Sequence, residues 1–436
     1  MFLSRRFYLV ALAVILVFIG GQAWHPLFYL GQGLLVLLAV AVVVEAAMLW
    51  HRRGIMASRS LARRFSNGDD NVVSLRVENN YRFPVWLTVI DEIPAHFQRR
   101  DVAFPLQLKV REGKNIDYRL RPVRRGVYSF GRIRVFTSTA LRLLWRRFTC
   151  AEPCDVKVYP SFLMLRQYEL LAISNRLTEM GIKKIRRIGN NTEFEQIKDY
   201  VQGDDYRTIN WRATARRHQL MVNVYQDERS QQVFSVIDKG RTMQHAFRGM
   251  TLLDYAINAS LVLAYVAMRR EDKAGLVTFN DRFDTFVPAS KQSGHIETLL
   301  ERLYAQQTTF GESDYSALVA HLDRHLSKRS LLILYTHFIG LQSMHRQLPY
   351  LIQLARRHRL LVVFFMDNEI KDYIASPATD TEDIYRHVIA EKFEYEQRLI
   401  ASQLRRHGIL SLLTTPDQLS VDVINKYLEM KSRQML

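Results

Sequence analysis

The first fifty residues of the chain are dominated by apolar side chains. Between Phe7 and Val44 no residue carries a formal charge, apart from His25 when it is protonated. One bilayer crossing takes about 20 apolar residues, so this run is nearly long enough for two. Trp24-His25-Pro26 interrupts it, because proline breaks a helix and tryptophan favours the membrane interface. The pattern predicts a transmembrane hairpin over residues 1–56, with helices at about 7–24 and 27–50.

Arginines flank this apolar run on both sides. Arg5 and Arg6 precede the first predicted helix, Arg52 and Arg53 follow the second, and the short loop between has neither lysine nor arginine. Because positive residues stay on the cytoplasmic side, we expect a two-pass protein with both ends in the cytoplasm. A signal peptide with the apolar core Tyr8–Gly20 is the alternative; the second apolar run would then cross back and leave the body in the cytoplasm.

Residues 57–160 alternate between apolar and polar side chains with a period of two. That period is typical of half-buried strands, and short strands at this spacing predict a small antiparallel β-sandwich. The runs that carry the pattern are Val72–Glu78, Val85–Ile90, Asn115–Leu120, Gly126–Tyr128 and Ile133–Phe136. Residues 161–230 are interpreted as a linker and signature segment, with a helix at Leu163–Met180 and an exposed loop at Gly181–Asn191.

From residue 231 to 436, short apolar runs alternate with longer runs of helical spacing. This alternation predicts a doubly wound α/β domain whose sheet is mostly parallel. The predicted strands are Gln231–Asp238, Ala274–Phe279, Asp284–Val287, Ser330–Tyr335, Leu360–Phe365 and Ile409–Leu413. The predicted helices are Met250–Arg269, His295–Leu303, Ser316–Leu326, Met344–Arg357, Glu382–His407 and Pro416–Met430. Ligands of such sheets bind beyond the carboxyl ends of the strands.

The formal net charge of +18 suits nucleic acid, an anionic membrane or an acidic partner. No finger, homeodomain or RNA-recognition signature occurs, so nucleic acid is not favoured. The basic and aromatic run Arg121–Arg134 is interpreted as a strand pair with outward arginines. Anionic lipid is favoured instead, because five arginines follow the apolar N-terminal run: Arg52, Arg53, Arg59, Arg63 and Arg64. The two cysteines, Cys150 and Cys154, are too few for a disulfide framework and are expected to be inert.

The segment Glu193–Arg217 is dense in acids, arginines and aromatics. One interpretation is a metal or acid–base constellation of Asp199, Asp204 and Asp205, which together with Asp238 would serve a metal-dependent hydrolase. No phosphate-binding loop, H-E-x-x-H or G-x-S-x-G pattern accompanies these acids, so no enzyme is expected.

The favoured interpretation of the same segment is a structural network. Asp204 or Asp205 would pair with Arg207 or Arg212, because fork-shaped guanidinium groups match carboxylates. Trp211 would anchor the loop in a core. A catalytic carboxylate pair would not need several guanidinium partners so close in sequence.

This segment resembles the signature of the bacterial family called domain of unknown function 58. The matching residues are Tyr200, Gly203, Asp204, Arg207, Ile209, Trp211, Ala215 and Arg216, continued by Leu220, Val222, Tyr225 and Glu228. The resemblance extends to the apolar hairpin and to the run Arg125–Gly131, and so covers nearly the whole chain. Asp199 departs from the pattern, since the family usually has arginine before the tyrosine.

The resemblance implies a protein of the bacterial inner membrane with a von Willebrand factor A-like domain and a MoxR-type ATPase of the AAA+ class as its partner. Such domains bind Mg²⁺ through D-x-S-x-S, a threonine in a second loop and an aspartate in a third. Here Asp238 and Thr242 fit the first loop, but Gly240 has no hydroxyl. Ser313 stands where the threonine is usual, and Thr336-His337 where Thr-Asp is expected. We therefore expect a degenerate metal site formed by Asp238, Thr242 and Ser313.

Three functions follow from these features as hypotheses. The first is an interaction protein that presents a docking surface to an ATPase, with no cofactor. The second is the metal-dependent hydrolase. The third is a basic, lipid-bound scaffold without an ATPase.

Overall fold

The computed structural model describes residues 1–22, 24–50, 54–99, 102–163, 193–202, 204, 206–226, 230–366, 368–377, 380–433 and 435. Outside these lie Arg52, Arg53, Gly203, Asp205, Glu228, the expected loop Gly181–Asn191 and all but the first residue of the expected helix Leu163–Met180. The chain is a mixed α/β protein that divides into two compact units, Met1–Tyr159 and Pro160–Leu436.

Two apolar helices open the first unit. They are α1, Arg5–Gly21, and α2, His25–Leu49, close to the predicted limits. The Ser4 hydroxyl caps α1 by accepting the amide of Phe7 at 3.2 Å. The helices pack closely because glycine leaves room: a Cβ on Gly31 would lie 3.2 Å from the ring of Phe18.

Helix α2 is long and apolar enough to cross a membrane. The helix Leu252–Arg269 of the second unit passes the same test of length and composition, but it is mostly buried inside the protein. Helix α1 has 17 residues, at the lower limit of about 17–25 for a membrane-spanning helix.

The rest of the first unit is formed by β-sheets. Its strands are β1 Phe2–Leu3, β2 Ile55–Leu61, β3 Arg64–Ser66, β4 Asn71–Asn79, β5 Val85–Asp91, β6 Ala103–Leu108, β7 Gly113–Leu120, β8 Gly126–Phe130, β9 Ile133–Ser138, β10 Leu144–Cys150 and β11 Cys154–Tyr159. They form three sheets, ordered β1-β10-β9-β5-β6, β3-β11-β8 and β2-β4-β7. Inward-facing side chains of all three sheets share one hydrophobic core, as their alternating patterns predict.

The side chain of Glu45 ties α2 to this β-structure. The side chain is fully buried, and its carboxylate accepts hydrogen bonds from the loop between β9 and β10. The donors are the Thr139 hydroxyl at 2.6 Å and the amides of Thr139, Leu143 and Leu144 at 3.3, 3.0 and 3.1 Å. A buried carboxylate is tolerated only when its oxygens are satisfied in this way.

Arg59 corrects one expectation. The sequence places it in the lipid-binding cluster, but its side chain is only 3% exposed and forms an ion pair with Asp91. Its Nη2 also donates to the carbonyl of Gly131 at 3.0 Å, and Tyr118 donates a hydrogen bond to the same carboxylate. Because β2 and β5 belong to different sheets, this buried pair joins the two sheets and leaves no charge for lipid. Arg63 and Arg64 remain exposed.

The second unit contains the remaining elements. Its strands are β12 Glu193–Asp199, β13 Met221–Gln226, β14 Gln232–Asp238, β15 Ala246–Phe247, β16 Met250–Thr251, β17 Lys273–Phe279, β18 Phe283–Ser290, β19 Leu331–Tyr335, β20 Arg359–Phe365 and β21 Leu410–Thr414. Its helices are α3 Trp211–Arg217, α4 Leu252–Arg269, α5 His295–Tyr304, α6 Tyr315–His325, α7 Leu341–Arg357, α8 Asn368–Ala375, α9 Thr381–Arg406 and α10 Leu419–Ser432.

Six strands form the central sheet, in the order β18-β17-β14-β19-β20-β21. All neighbours are parallel except β18, which pairs antiparallel with β17. One face packs against α6, α7 and α9 in a single core, whereas α4 and α10 contact the sheet and each other. The strands between them are almost entirely buried, as expected for a parallel sheet.

Replacement of Glu45 tests the link between α2 and the loop. We expect Glu45→Ala to lower the free energy of unfolding of the first unit by about 2–4 kcal/mol, because buried backbone amides lose their acceptor. The measurement is thermal unfolding of the full chain in detergent. Glu152→Ala, at an exposed glutamate, is the matched control. A melting temperature equal to that of the control would contradict the role of Glu45.

Candidate functional site at the carboxyl ends of the strands

Asp238 lies at the carboxyl end of β14, in the middle of the central sheet. It is buried, and its two oxygens accept four hydrogen bonds. The donors are the Gly240 amide at 2.8 Å, the Thr336 hydroxyl at 2.7 Å, the Tyr315 hydroxyl at 3.1 Å and the Ser313 hydroxyl. Three chain segments therefore meet at one carboxylate. Because β14 and β19 are parallel, their carboxyl ends lie at the same edge of the sheet. Ser313 and Tyr315 reach this edge from the N-terminal end of α6.

Burial raises the pKa of Asp238 above its ordinary value, while the hydrogen bonds from Ser313, Thr336, Gly240 and Tyr315 oppose the rise. The Tyr315 phenol is also buried, and its pKa is raised by desolvation and by the neighbouring carboxylate. Both groups are thus held as hydrogen-bonding partners rather than as exposed charges. Sequence reasoning missed Tyr315, although its place directly after the cap residue Asp314 puts it in the second loop of the expected site.

Gly240 decides whether a cation fits this arrangement. A Cβ at Gly240 would lie 1.9 Å from Oγ of Ser313 and 3.0 Å from Oδ1 of Asp238. The Ser313 hydroxyl therefore occupies the space that a serine at the third position of D-x-S-x-S would need. Thr242 lines the neighbouring cavities and is not one of the four donors to the carboxylate. One carboxylate surrounded by uncharged hydroxyls does not fit the acidic oxygen set that Mg²⁺ prefers.

Lys239 follows Asp238 but directs its charge elsewhere. Its buried ammonium donates to Asp284 at 2.6 Å and to the carbonyl of Gln307 at 3.0 Å. Burial alone would raise the pKa of Asp284, but the hydrogen bond and charge of Lys239, together with the hydroxyls of Thr278 and Thr285, lower it. Lys239 thereby fixes the loop after β14 to β18.

Two adjoining cavities open beside this network. The smaller, of about 340 Å³, includes Asp238, Ser313 and Tyr315 in its wall. The larger, of about 690 Å³, is lined mostly by apolar side chains, among them Phe247, Phe365 and Phe393. Arg241, Thr242, His337 and Ile339 line both. Ile339 follows β19 and is 53% exposed, so the rim of these cavities presents an apolar side chain to solvent.

The signature segment lies in a small substructure formed by β12, β13 and α3. Strands β12 and β13 pair antiparallel, Ile209 forms a bridge with Val222, and Tyr200 donates its amide to Leu220 at 2.8 Å. Arg207 lies in the turn Tyr206–Thr208. Ala215 and Arg216 lie in α3.

The network predicted for this segment is wrong for Asp204 and for Trp211, whereas the alternative pairing through Asp205 lies outside the described residues. Asp204 pairs with Lys198 at 2.9 Å, not with Arg207 or Arg212, and accepts the amide of Val201 at 3.0 Å. The hydrogen bond from Lys198 and that amide lower the pKa of Asp204. Trp211 does not enter a core but is 69% exposed. It is the first residue of a seven-residue helix that faces a two-stranded sheet, which offers too little surface to cover an indole.

Among the described residues, the acids proposed for a hydrolase make separate contacts, and Asp199 lies exposed at the end of β12. Asp204 is held by Lys198, Asp238 is enclosed by hydroxyls, and Asp205 lies outside the described residues. Within the part of the chain that the structure describes, no three histidine, cysteine, aspartate or glutamate side chains form a group that could hold a metal ion.

The family comparison falls on this region. Residues 196–373 match the family model described as Protein of unknown function DUF58. The match begins within β12 and covers the signature residues Tyr200–Arg216 and the loops around Asp238. The Uncharacterized protein YeaD of Bacillus subtilis (strain 168) is 24% identical over 264 residues, which is 58% of this chain and 63% of that protein. The Uncharacterized protein Rv1480 of Mycobacterium tuberculosis (strain ATCC 25618 / H37Rv) is 23% identical over 181 residues, 41% of this chain and 56% of that protein. The chain thus spans 56–63% of the length of these relatives.

Solved structures give low overall similarity. The conserved hypothetical protein BatB from Bacteroides thetaiotaomicron matches 47% of this chain and 100% of its own, with 12% identity and a TM-score of 0.33. The CARDB domain of the PF1109 protein from Pyrococcus furiosus, in complex with di-metal ions, matches 24% of this chain and 91% of its own, with 12% identity and a TM-score of 0.18.

Gly240 provides a steric test of the site. We expect Gly240→Ala to destabilise the second unit by about 1–3 kcal/mol, because the added methyl group collides with Ser313. Gly311→Ala in the facing loop is the control, since a Cβ there would lie 3.9 Å from its nearest neighbour. Thermal unfolding of both variants makes the comparison. If the two melt at the same temperature, the close approach of Ser313 is not as described.

The raised pKa of Asp238 makes a pH-dependent prediction. A carboxyl whose pKa is higher in the folded than in the unfolded state binds more protons when folded, so its contribution to stability is lost as pH rises. This loss occurs over a pH range that begins near the ordinary aspartate pKa of about 3.9 and ends above the pKa of Asp238 in the folded state. As pH rises across this range, we expect the melting temperature of the native chain to fall relative to that of Asp238→Asn. A difference independent of pH would exclude the raised pKa.

Proposed function

We propose that this protein is a membrane-anchored interaction protein whose second unit is a von Willebrand factor A-like domain that docks a MoxR-type AAA+ ATPase. The proposal assigns the chain no catalytic step. The fold part of this proposal is supported by the parallel strands β17-β14-β19-β20-β21, which have helices packed against them. The loops of interest lie at the carboxyl ends of these strands. The partner is taken from the resemblance in the signature segment.

The observation that carries the proposal is the closed hydrogen-bond network of Asp238. A carboxylate that accepts from three hydroxyls and an amide has its lone pairs engaged within the protein. These hydrogen bonds hold three loops in one arrangement. A fixed loop surface beside an apolar cavity suits recognition of a protein, because binding hot spots are rigid, well-packed positions.

The surface around the cavities has the composition of a binding site. Ile339 is exposed at the rim, and Phe365 and Phe393 line the apolar wall. Arg346 and Glu312 form an exposed ion pair at 3.6 Å beside the smaller cavity. An apolar centre with charged residues at its edge is the usual anatomy of a protein interface.

The signature segment supplies a second exposed surface of the same kind. Trp211 and Tyr206 are each 69% exposed, and the Arg207 guanidinium lies 5.8 Å from the Tyr206 ring centroid. Tryptophan, tyrosine and arginine are the residues most enriched at binding hot spots. Exposed aromatics in a segment that matches the family model support docking rather than a structural role alone.

The anchor in this proposal is the hairpin α1–α2. Helix α2 has the length and hydropathy for one crossing, and Arg5 and Arg6 are exposed at the start of α1. We place both ends in the cytoplasm at the bacterial inner membrane by the positive-inside rule. Arg63 and Arg64 stay in the proposed lipid contact together with Arg52 and Arg53, whereas Arg59 does not.

A paired substitution tests the docking surface. The full chain, tagged and expressed at native level, is purified in mild detergent, and bound proteins are identified by mass spectrometry. We expect an AAA+ ATPase to be recovered with the native chain and at least about tenfold less with Ile339→Asp, since a charge at a hot spot costs about 1.4 kcal/mol or more.

The control is Val127→Asp on β8, because Val127 is 52% exposed and belongs to the other unit. It should leave recovery unchanged. Recovery of no ATPase with the native chain, or equal recovery with Ile339→Asp, would contradict the proposal.

A further inference from the structure

A buried carboxylate inside an apolar helix is the unusual feature of the first unit. Glu45 lies within α2, the helix that is long enough to cross a membrane, and is fully enclosed by the protein. Its partners all come from the segment Thr139–Leu144, here called the β9–β10 loop. An ionisable side chain in a membrane helix is costly unless protein groups satisfy it.

The depth of this contact follows from helix geometry. Glu45 precedes the last helical residue, Leu49, by one turn, which is about 6 Å along the helix axis at 1.5 Å per residue. The β9–β10 loop must therefore extend beside α2 by about one turn in the direction of the hairpin. It does not stop at the helix end.

The same loop also contacts the start of α1. The amide of Ser4 donates to the carbonyl of Leu143 at 2.9 Å, and the Ser4 hydroxyl donates to the carbonyl of Arg142 at 2.5 Å. Strand β1 extends this contact, because Phe2 pairs with Trp145 at the edge of the five-stranded sheet. The loop is thus fixed to both helices of the hairpin at the level where they meet the β-structure.

The side chains at this level are those of a membrane interface. Leu141, at the tip of the loop, is 54% exposed, and Phe2 is 51% exposed. Phe2 and Trp145 line a shallow cavity, and the Arg142 guanidinium stacks on the ring of Trp86 at 4.7 Å. Apolar tips with aromatic and arginine side chains beside them are typical of segments that lie at the headgroup level of a bilayer.

We propose that the β9–β10 loop lies in the lipid interface, with Leu141 at the acyl boundary and Phe2 and Trp145 among the headgroups. This inference rests on the proposed anchoring of the hairpin. The bilayer is the occupant of this surface because the surface continues directly from α2 and lies within the length of that helix. Glu45 is then a carboxylate below the membrane surface, shielded from lipid by the loop it holds.

The test measures lipid exposure at three positions of the full chain. In a Cys150→Ser/Cys154→Ser background, whose thermal unfolding is compared with that of the native chain, single cysteines replace Leu141, Val127 or Val43 and carry a nitroxide spin label. The protein is placed in nanodiscs of phosphatidylcholine and phosphatidylglycerol. Oxygen, which concentrates in the acyl region, and a water-soluble nickel chelate compete as relaxing agents.

We expect the ratio of oxygen to nickel accessibility at position 141 to be several-fold higher than at position 127. The ratio at position 43 in α2 should likewise be higher than at position 127. Val43 and Val127 are suitable references because both are more than half exposed in the structure. If position 43 is lipid-exposed and position 141 is as water-exposed as position 127, the inference is overturned and the anchor stands. If position 43 is water-exposed as well, the anchoring and the inference both fail.

Should the cysteine-free background unfold, the same comparison is made in the native chain with Leu141→Trp and Val127→Trp. Brominated lipids should quench the added fluorescence at position 141 but not at position 127. Equal quenching at the two positions overturns the inference.

Discussion

The second unit depends on one buried carboxylate that is satisfied entirely by the protein. Asp238 ends the central strand β14, and its oxygens accept hydrogen bonds from a neighbouring amide, from the segment before α6 and from the end of β19. Removing a negative charge from water is unfavourable, and only this full set of donors makes it tolerable. The loops at the carboxyl edge of the sheet are therefore held by hydrogen bonds, and Oγ of Ser313 fills the space that a side chain at Gly240 would need.

The first unit also contains a buried carboxylate whose oxygens are satisfied by hydrogen bonds from the protein. Glu45 is buried in an apolar helix and is satisfied by backbone amides and a threonine hydroxyl from one loop. Arg59 and Asp91 form a buried ion pair between sheets instead, supported by Tyr118 and a backbone carbonyl. These three contacts fix where loops and sheets meet. Apart from the amide of Gly240, which is two positions from Asp238, the hydrogen bonds of these contacts join residues that lie 27 to 99 positions apart in the chain.

Most elements of the fold follow from local patterns. The apolar runs at α1 and α2, the alternation in β4 and β5, and the buried runs of β19 and β20 are predicted within a few residues, because their periodicity is set by burial of one or both faces. The wrong predictions concern residues whose surroundings depend on distant parts of the chain. Arg59 reads as a juxtamembrane charge until Asp91 is known to lie beside it. Trp211 reads as an anchor until the small size of its substructure is seen.

The candidate site could be predicted only in part for the same reason. The resemblance to metal-binding loops names Asp238, Thr242 and Ser313, of which Asp238 and Ser313 meet in the network, but the steric exclusion at Gly240 is a property of two loops together. Tyr315 carries no motif of its own, and the large cavity collects side chains from many elements. Their joint arrangement is tertiary information.

The proposed function requires a carboxyl edge that binds a protein partner and leaves cations unbound. Isothermal titration of the purified full chain with Mg²⁺ and with Mn²⁺ tests this most directly, with Asp238→Asn measured in parallel. The account predicts no stoichiometric binding of either ion to the native chain. Binding of one ion per chain that is lost in Asp238→Asn would contradict this prediction and would identify the site as a metal site.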